Sequence, residues 1–250
     1  MSAVDFGRTA ADYARHRAGF PAALLERLTP YRIGEAGQRV LDLGTGTGSL
    51  ARLFATRGAD VTGLDPAEPL LEQARRLTRE AGLSITYVTG AAEETGLPDA
   101  SFDVVTAGQC WHWFRGDEAA AEARRLLRPG GRIVIAHFDW LPLPGNLVEV
   151  TERLIRAHNP GWALSGGTGL YPRWLTDLRT AGFSGVETFS FDVDVPYTRE
   201  SWVGRIRASA GVAASLPPPA VERFSAELTA LIPPGDLAVP HRVWAVVARN

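Results

Sequence analysis

Between residues 38 and 137 the chain alternates short runs rich in β-branched and apolar residues with stretches whose apolar positions recur every three or four residues. The runs RVLDL (39–43), ADVTGL (59–64), SITYV (84–88), FDVVTAG (102–108) and GRIVIAH (131–137) read as buried strands. The stretches between them put Leu50, Leu53 and Phe54, then Leu70, Leu71, Ala74 and Leu77, on single faces, which predicts helices over 49–58 and 67–82. A third helix is expected over 116–131, stopped by Pro129 and Gly130. Strands alternating with helices predict a doubly wound α/β sheet. Beyond residue 137 the pattern loosens. Helices are expected near 146–157 and 174–183, a strand near 186–195, two helices within 198–231 split by LPPP at 216–219, and a last strand over 241–250. The whole reads as a core sheet with helical insertions.

The first strand runs into VLDLGTGTGSLA (40–51), where Gly44, Gly46 and Gly48 alternate with threonines. Glycine there permits positive φ and lets a ligand approach the backbone, and the helix start beyond supplies unpaired N–H groups. A dinucleotide site would ask for GxGxxG, but Ser49 follows Gly48, so the spacing is GxGxG. Asp42, two residues before the loop, would repel a pyrophosphate and attract an ammonium or sulfonium group. Asp65 ends the second strand, where an acid takes the hydroxyls of a ribose, and Pro66 stops that strand. The glycines alone are compatible with a plain strand-to-helix turn; with Asp42 and Asp65 in register they point to a nucleoside site.

VLDLGTGTGSLA, GLDPAEPLL, TGAAEETGLPDASFDVVTAG and LLRPGGRIVIA, in this order and spacing, resemble the class I S-adenosylmethionine-dependent methyltransferases. The resemblance is close over residues 1–137 and weak afterwards. It implies a Rossmann-like, seven-stranded mixed sheet with helices on both faces and helical cap insertions, and S-adenosyl-L-methionine as cofactor. It also implies that Asp42, Gly44, Thr45, Gly46 and Gly48 line the methionine part, that Asp65 with Pro66 meets the ribose, and that Ala92 and Glu93 flank the adenine. Many relatives carry an aspartate in the place of Ala91 to accept from the adenine amino group, and Glu93 is the nearest replacement here. FGRTAADYARHRAGFP (6–21) resembles the segment that covers the cofactor, with Tyr13 and Arg17 at its characteristic positions; as bare pattern it is also an amphipathic surface helix. The expected organisation is a lid region over 1–30, a cofactor-binding core over 31–137, the rest of the core with substrate-cap insertions over 138–240, and a final strand over 241–250.

QCWHWF (109–114) follows the fourth strand. In a doubly wound sheet the first strand is central, the fourth lies on its other side, and ligands sit beyond the carboxyl ends at that switch point. The six residues therefore emerge beside the glycine loop. Methyl transfer asks the protein mainly for alignment, and an oxygen nucleophile must often also give up a proton, which an imidazole can accept. His112 is the candidate base and His137, closing the fifth strand, the second. Gln109 is a candidate to orient the cofactor or acceptor, whereas Cys110 reads as a small buried hydrophobe. Trp111, Trp113 and Trp140 are candidate pocket walls. Trp162, Trp174 and Trp202 fall in the inserted segments, which the resemblance makes the acceptor pocket, with core packing as the competing account.

Composition narrows the chemistry. With 26 basic and 28 acidic residues the formal charge is −2, which gives no general attraction to nucleic acid or anionic lipid. All the basic residues are arginine, so lysine Schiff-base or lysine-base chemistry is excluded. One cysteine excludes an internal disulfide, and five scattered histidines without HxxxH or CxxC spacing leave no expected metal site. No membrane span or signal-type segment is legible, so the expectation is a cytoplasmic protein with no nucleic-acid or membrane partner and room for a homodimer. The expected activity is S-adenosylmethionine-dependent methylation of a small organic acceptor of the secondary-metabolism type, at oxygen. A carboxylate acceptor would need an arginine such as Arg17 or Arg173 rather than a base. N- or C-methyl transfer and a non-catalytic nucleoside-binding protein of the same fold remain alternatives. An NAD-dependent oxidoreductase is disfavoured by Ser49 and Asp42.

Overall fold

The computed structural model describes His16 and residues 18–250. β1 (Arg39–Leu43) pairs in parallel with β2 (Asp60–Asp65) on one side and β4 (Phe102–Gly108) on the other. β3 (Thr86–Thr89) lies parallel to β2, and β5 (Leu127–Trp140) parallel to β4. β6 (Ser184–Tyr197) and β7 (Leu237–Arg249) complete a seven-stranded sheet of order β3-β2-β1-β4-β5-β7-β6. β7 runs antiparallel to β5, because the Asn250 N–H reaches Gly131 O at one end and the Leu141 N–H reaches Pro240 O at the other. β6 opposes β7 in turn: Ser184 bonds Arg249 O while Asp192 pairs with Arg242. The sheet is therefore mixed, with the chain reversing its order at β1 and β4.

α1 (Ala23–Leu28) buries Leu24, Leu25 and Leu28 ahead of the sheet. α2 (Ser49–Ala55) buries Leu50, Ala51 and Phe54, and α3 (Glu68–Glu80) buries Leu70, Leu71 and Ala74, each on the face that the sequence spacing marks. α4 (Gly116–Leu126) is shorter than expected. It stops at Leu126, and the residues LRPGG expected to end it open β5 instead. The pairing of β4 with β5 jumps from Phe102 opposite Leu127 to Val104 opposite Arg132. That bulge holds Pro129, which has no N–H to give a ladder, and Gly130 at φ +78°.

Two compact units share the long strands. One comprises Gly19–Phe138, Tyr171–Phe191 and Val243–Asn250. Its core is built from Leu41, Leu43, Val105, Ile133 and Ile135 of the sheet with Trp111, Trp174 and Trp244. The other holds Asp139–Leu170 and Asp192–Arg242. Its core joins α5 (Leu147–His158), α7 (Arg199–Arg207) and α8 (Pro218–Leu231) through Ile155, Trp202, Ile206, Phe224 and Leu228. α6 (Trp174–Thr180) belongs to the sheet unit.

Candidate active site

The glycine loop is anchored by Asp42. Its carboxylate is 1% exposed and accepts from the Thr45 hydroxyl at 2.6 Å and, across the sheet, from the Thr106 hydroxyl of β4 at 2.8 Å. Burial raises its pKa to about 6, with both threonine bonds pulling the other way. Gly44, Gly46 and Gly48 all have positive φ, and each is needed for a different reason. A Cβ on Gly44 would stand 2.9 Å from both Cys110 Sγ and Phe114 Cζ, and one on Gly48 would strike the Tyr87 hydroxyl. Among the described residues a Cβ on Gly46 would meet nothing within 4 Å, so there the loop presents bare backbone.

Asp65 braces that open face. One carboxylate oxygen accepts from the Gly46 N–H and the other from the Ala67 N–H, each at 2.9 Å. Burial raises its pKa while the two N–H bonds counter the rise. Pro66 is exposed and turns the chain into α3. Thr106 and Tyr87 were not singled out from sequence. Tyr87 packs on Gly63 and hydrogen-bonds Thr78 at 2.8 Å, and the only hint of it was a glycine in the middle of strand β2. Ala92 is buried in the core. Glu93 accepts from the Arg115 N–H at 2.9 Å at the start of α4, so one of its oxygens anchors the segment that carries His112.

That segment folds back on the glycine loop. Gln109 takes φ +65°, and Cys110 donates through its thiol to Leu43 O at 3.1 Å. A 3-10 turn spans Trp111–Trp113. Trp111 is fully buried, with its indole N–H on Asp177 of α6 at 2.9 Å, so it is core rather than pocket wall. Trp113 is 48% exposed and lies 4.6 Å, centroid to centroid, from the exposed His112 ring. His112 Nδ1 stands 3.2 Å from Nε2 of His137, which is 5% exposed. Tyr171 and Trp174, stacked at 4.2 Å, pack on the His137 ring at 4.3 and 5.2 Å. The two histidines, 25 residues apart, thus form one hydrogen-bonded pair. Trp174, also expected at a pocket, is buried in the sheet core.

In the helical unit Trp202 is fully buried and donates to the Thr151 hydroxyl, Trp140 donates to Glu152 at 2.8 Å, and Trp162 packs over Gly211. A cavity of about 360 Å³ in this unit is lined by residues including Leu141, Glu149, Glu152, Arg156, Thr168 and Arg242, and by none of the three tryptophans. Each indole is packed or hydrogen-bonded within this unit, which fits the core-packing account of the three. Tyr13 and Arg17 lie outside the described residues. Among the described residues no group of three His, Cys, Asp or Glu is placed to hold a metal, and no helix is long and apolar enough to cross a membrane.

Residues 41–135, which carry the glycine loop, Asp65 and His112, match the family model described as a methyltransferase domain. An uncharacterized methyltransferase of Mycobacterium tuberculosis is 38% identical over 130 residues, 52% of this chain and 50% of that one. The chain thus spans about half the length of such curated relatives. The ubiquinone/menaquinone biosynthesis C-methyltransferase of Paracoccus denitrificans is 38% identical over 200 residues, 72% of this chain and 78% of that one. The chain belongs to the class I S-adenosylmethionine-dependent methyltransferases. The fold of this methyltransferase is also that of the Haemonchus contortus phosphoethanolamine N-methyltransferase 2, solved with phosphomonomethylethanolamine and S-adenosylhomocysteine. That match has a TM-score of 0.59 at 19% identity and covers 99% of this chain and 60% of that one. The residues present fit the cofactor: an open backbone face at Gly46, a braced acid at Asp65 and a buried acid at Asp42 suit a nucleoside that carries cationic groups.

Proposed function

We propose that this methyltransferase methylates a small organic acceptor at a hydroxyl oxygen, with the His112–His137 pair receiving the proton. The observation that carries the reading is the exposed His112 imidazole, hydrogen-bonded to a buried second imidazole, on a segment packed against the glycine loop through Cys110 and Phe114. Bound S-adenosylmethionine supplies a methyl group made electrophilic by its sulfonium. The loop from Gly44 to Gly48 and Asp65 would hold it, and the buried charge of Asp42 favours its cationic end. His112 then needs to do one thing: take a proton from the acceptor at the ring nitrogen turned away from His137. A neutral imidazole is suited to this near neutral pH. The exposed face of Trp113, beside the His112 ring, offers a flat apolar surface against which an acceptor ring can align.

The Paracoccus relative is a C-methyltransferase, which supports a second reading: the acceptor is a ring whose hydroxyl is deprotonated so that the adjacent carbon attacks. The same base serves both. Incubation with ¹³C-methyl-labelled cofactor and a panel of phenols and hydroxyquinols separates them, because a methoxy carbon and a ring-bound methyl resonate far apart. His112→Ala is expected to lower kcat by about 10²–10⁴ on a neutral hydroxyl while cofactor affinity stays within about twofold. Full turnover by that variant would overturn the proton-acceptor reading.

A further inference from the structure

We propose that Gln109 is a positioning residue that sets the histidine pair, an inference that rests on that pair being the proton acceptor. Gln109 is one of three described non-glycine residues with positive φ. The other two, Arg32 and Ala100, are exposed turn residues, whereas Gln109 is half-buried at the carboxyl end of β4. A left-handed conformation at a side chain of this size persists only where surrounding bonds hold it.

Among the hydrogen bonds that do so, three grip the backbone on either side of His137. The Gln109 N–H donates to Ala136 O at 2.9 Å, its side-chain amide N–H donates to Phe138 O at 2.6 Å, and its side-chain oxygen accepts from the Phe138 N–H at 3.0 Å. The side-chain amide therefore acts as an extra peptide unit in the ladder between β4 and β5, with His137 held between two pinned neighbours. The positive φ does the complementary work on its own strand. It reverses the chain so that Cys110 seats on Leu43 and the 3-10 turn returns His112 to within 3.2 Å of His137. Glycine would make the turn, but only glutamine, with a donor and an acceptor at this reach, makes the turn and the clamp together. One donor and one acceptor of the amide are engaged in this clamp.

The test compares the intact protein with Gln109→Gly, which keeps the turn and relieves the backbone, and Gln109→Glu, which lacks the amide donor. Each is labelled with ¹⁵N-histidine, and ring-nitrogen shifts of His112 and His137 are read from long-range ¹H–¹⁵N spectra. The expected result is a protonated and an unprotonated nitrogen facing each other in the wild type. In both variants the two nitrogens are expected to lose that signature, while Gln109→Gly melts at or about 2–4 °C above Gln109→Glu. S-adenosylhomocysteine affinity, by calorimetry, is expected to stay within about twofold and kcat to fall by about tenfold or more. Ring-nitrogen shifts identical in all three proteins would overturn the inference, as would a tenfold loss of affinity with the pair unmoved, which would make Gln109 a ligand. Loss of the signature with turnover unchanged would support the positioning and sink the proton-acceptor reading instead.

Discussion

Asp42 offers the sharpest quantitative test, because its charge is costly to the fold and, on the proposed reading, attracts the ligand. Its folded pKa of about 6 lies above its ordinary value of 3.8, so the native state binds this proton more tightly than the unfolded chain does. Below about pH 4 both states are protonated and no penalty exists. Between pH 4 and 6 the unfolded chain ionises first and the penalty grows, and above pH 6 it is fully present. Two pKa units correspond to about 3 kcal/mol as an upper bound. Asp42→Asn keeps the shape and keeps partners for the hydroxyls of Thr45 and Thr106, which can donate or accept. The variant without cofactor should therefore be more stable than wild type at pH 7.5, by about 1–3 kcal/mol or about 3–9 °C in Tm, and equal to it near pH 4. Cofactor affinity should move the opposite way. The variant loses the attraction for a cationic ligand and binds about tenfold or more weakly at pH 7.5. Wild-type affinity should fall as the pH drops below about 6, and that of the variant should not. Thermal denaturation with and without S-adenosylhomocysteine from pH 4 to 8, with calorimetry at both ends, measures all of this. A variant that is less stable at pH 7.5, by an amount that does not change with pH, would refute the reasoning.

The glycines separate space from conformation. Gly46→Ala, at φ +56° with no described atom within 4 Å of its Cβ position, should cost only about 1 kcal/mol in urea unfolding yet weaken cofactor binding by about tenfold or more; Gly48→Ala, which collides with Tyr87, should cost more stability. Trp111→Phe removes the indole N–H that satisfies Asp177 and should destabilise by about 1–3 kcal/mol, with no change in cofactor stoichiometry by calorimetry. Glu122 is held down to about pKa 2, first by Arg125 and then by the Thr95 hydroxyl and N–H. Its contribution is present above the ordinary glutamate value of 4.5 and is lost as the pH falls towards 2, so Glu122→Gln should flatten the acid limb of a circular-dichroism titration there.

The alternation of strands and helices up to residue 137 was legible because burial on both faces leaves near-continuous apolar runs, while one buried helix face leaves a spacing of three and four. Gly44, Gly46 and Gly48 announced themselves because few other residues tolerate positive φ, and QCWHWF could be set beside them by counting strands. The bulge at Pro129 was misread as a helix end, since a proline preceding a glycine stops a helix and enters a strand with the same letters. The tryptophans stayed open between two accounts for a related reason: an indole at an interior packing site and one at a ligand site have the same local pattern, and the burial of Trp111, Trp174 and Trp202 is visible only in the fold.

By itself, then, the sequence determined the class of sheet, the glycine loop at its switch point and the family, because each depends on residues close together along the chain. Tertiary structure alone decided that His112 and His137 are one pair, that Gln109 grips both neighbours of His137, and that Asp42 is a buried, reluctant charge. Those three facts depend on distances between residues far apart in sequence and on the loss of water around them, and neither is written in local spacing.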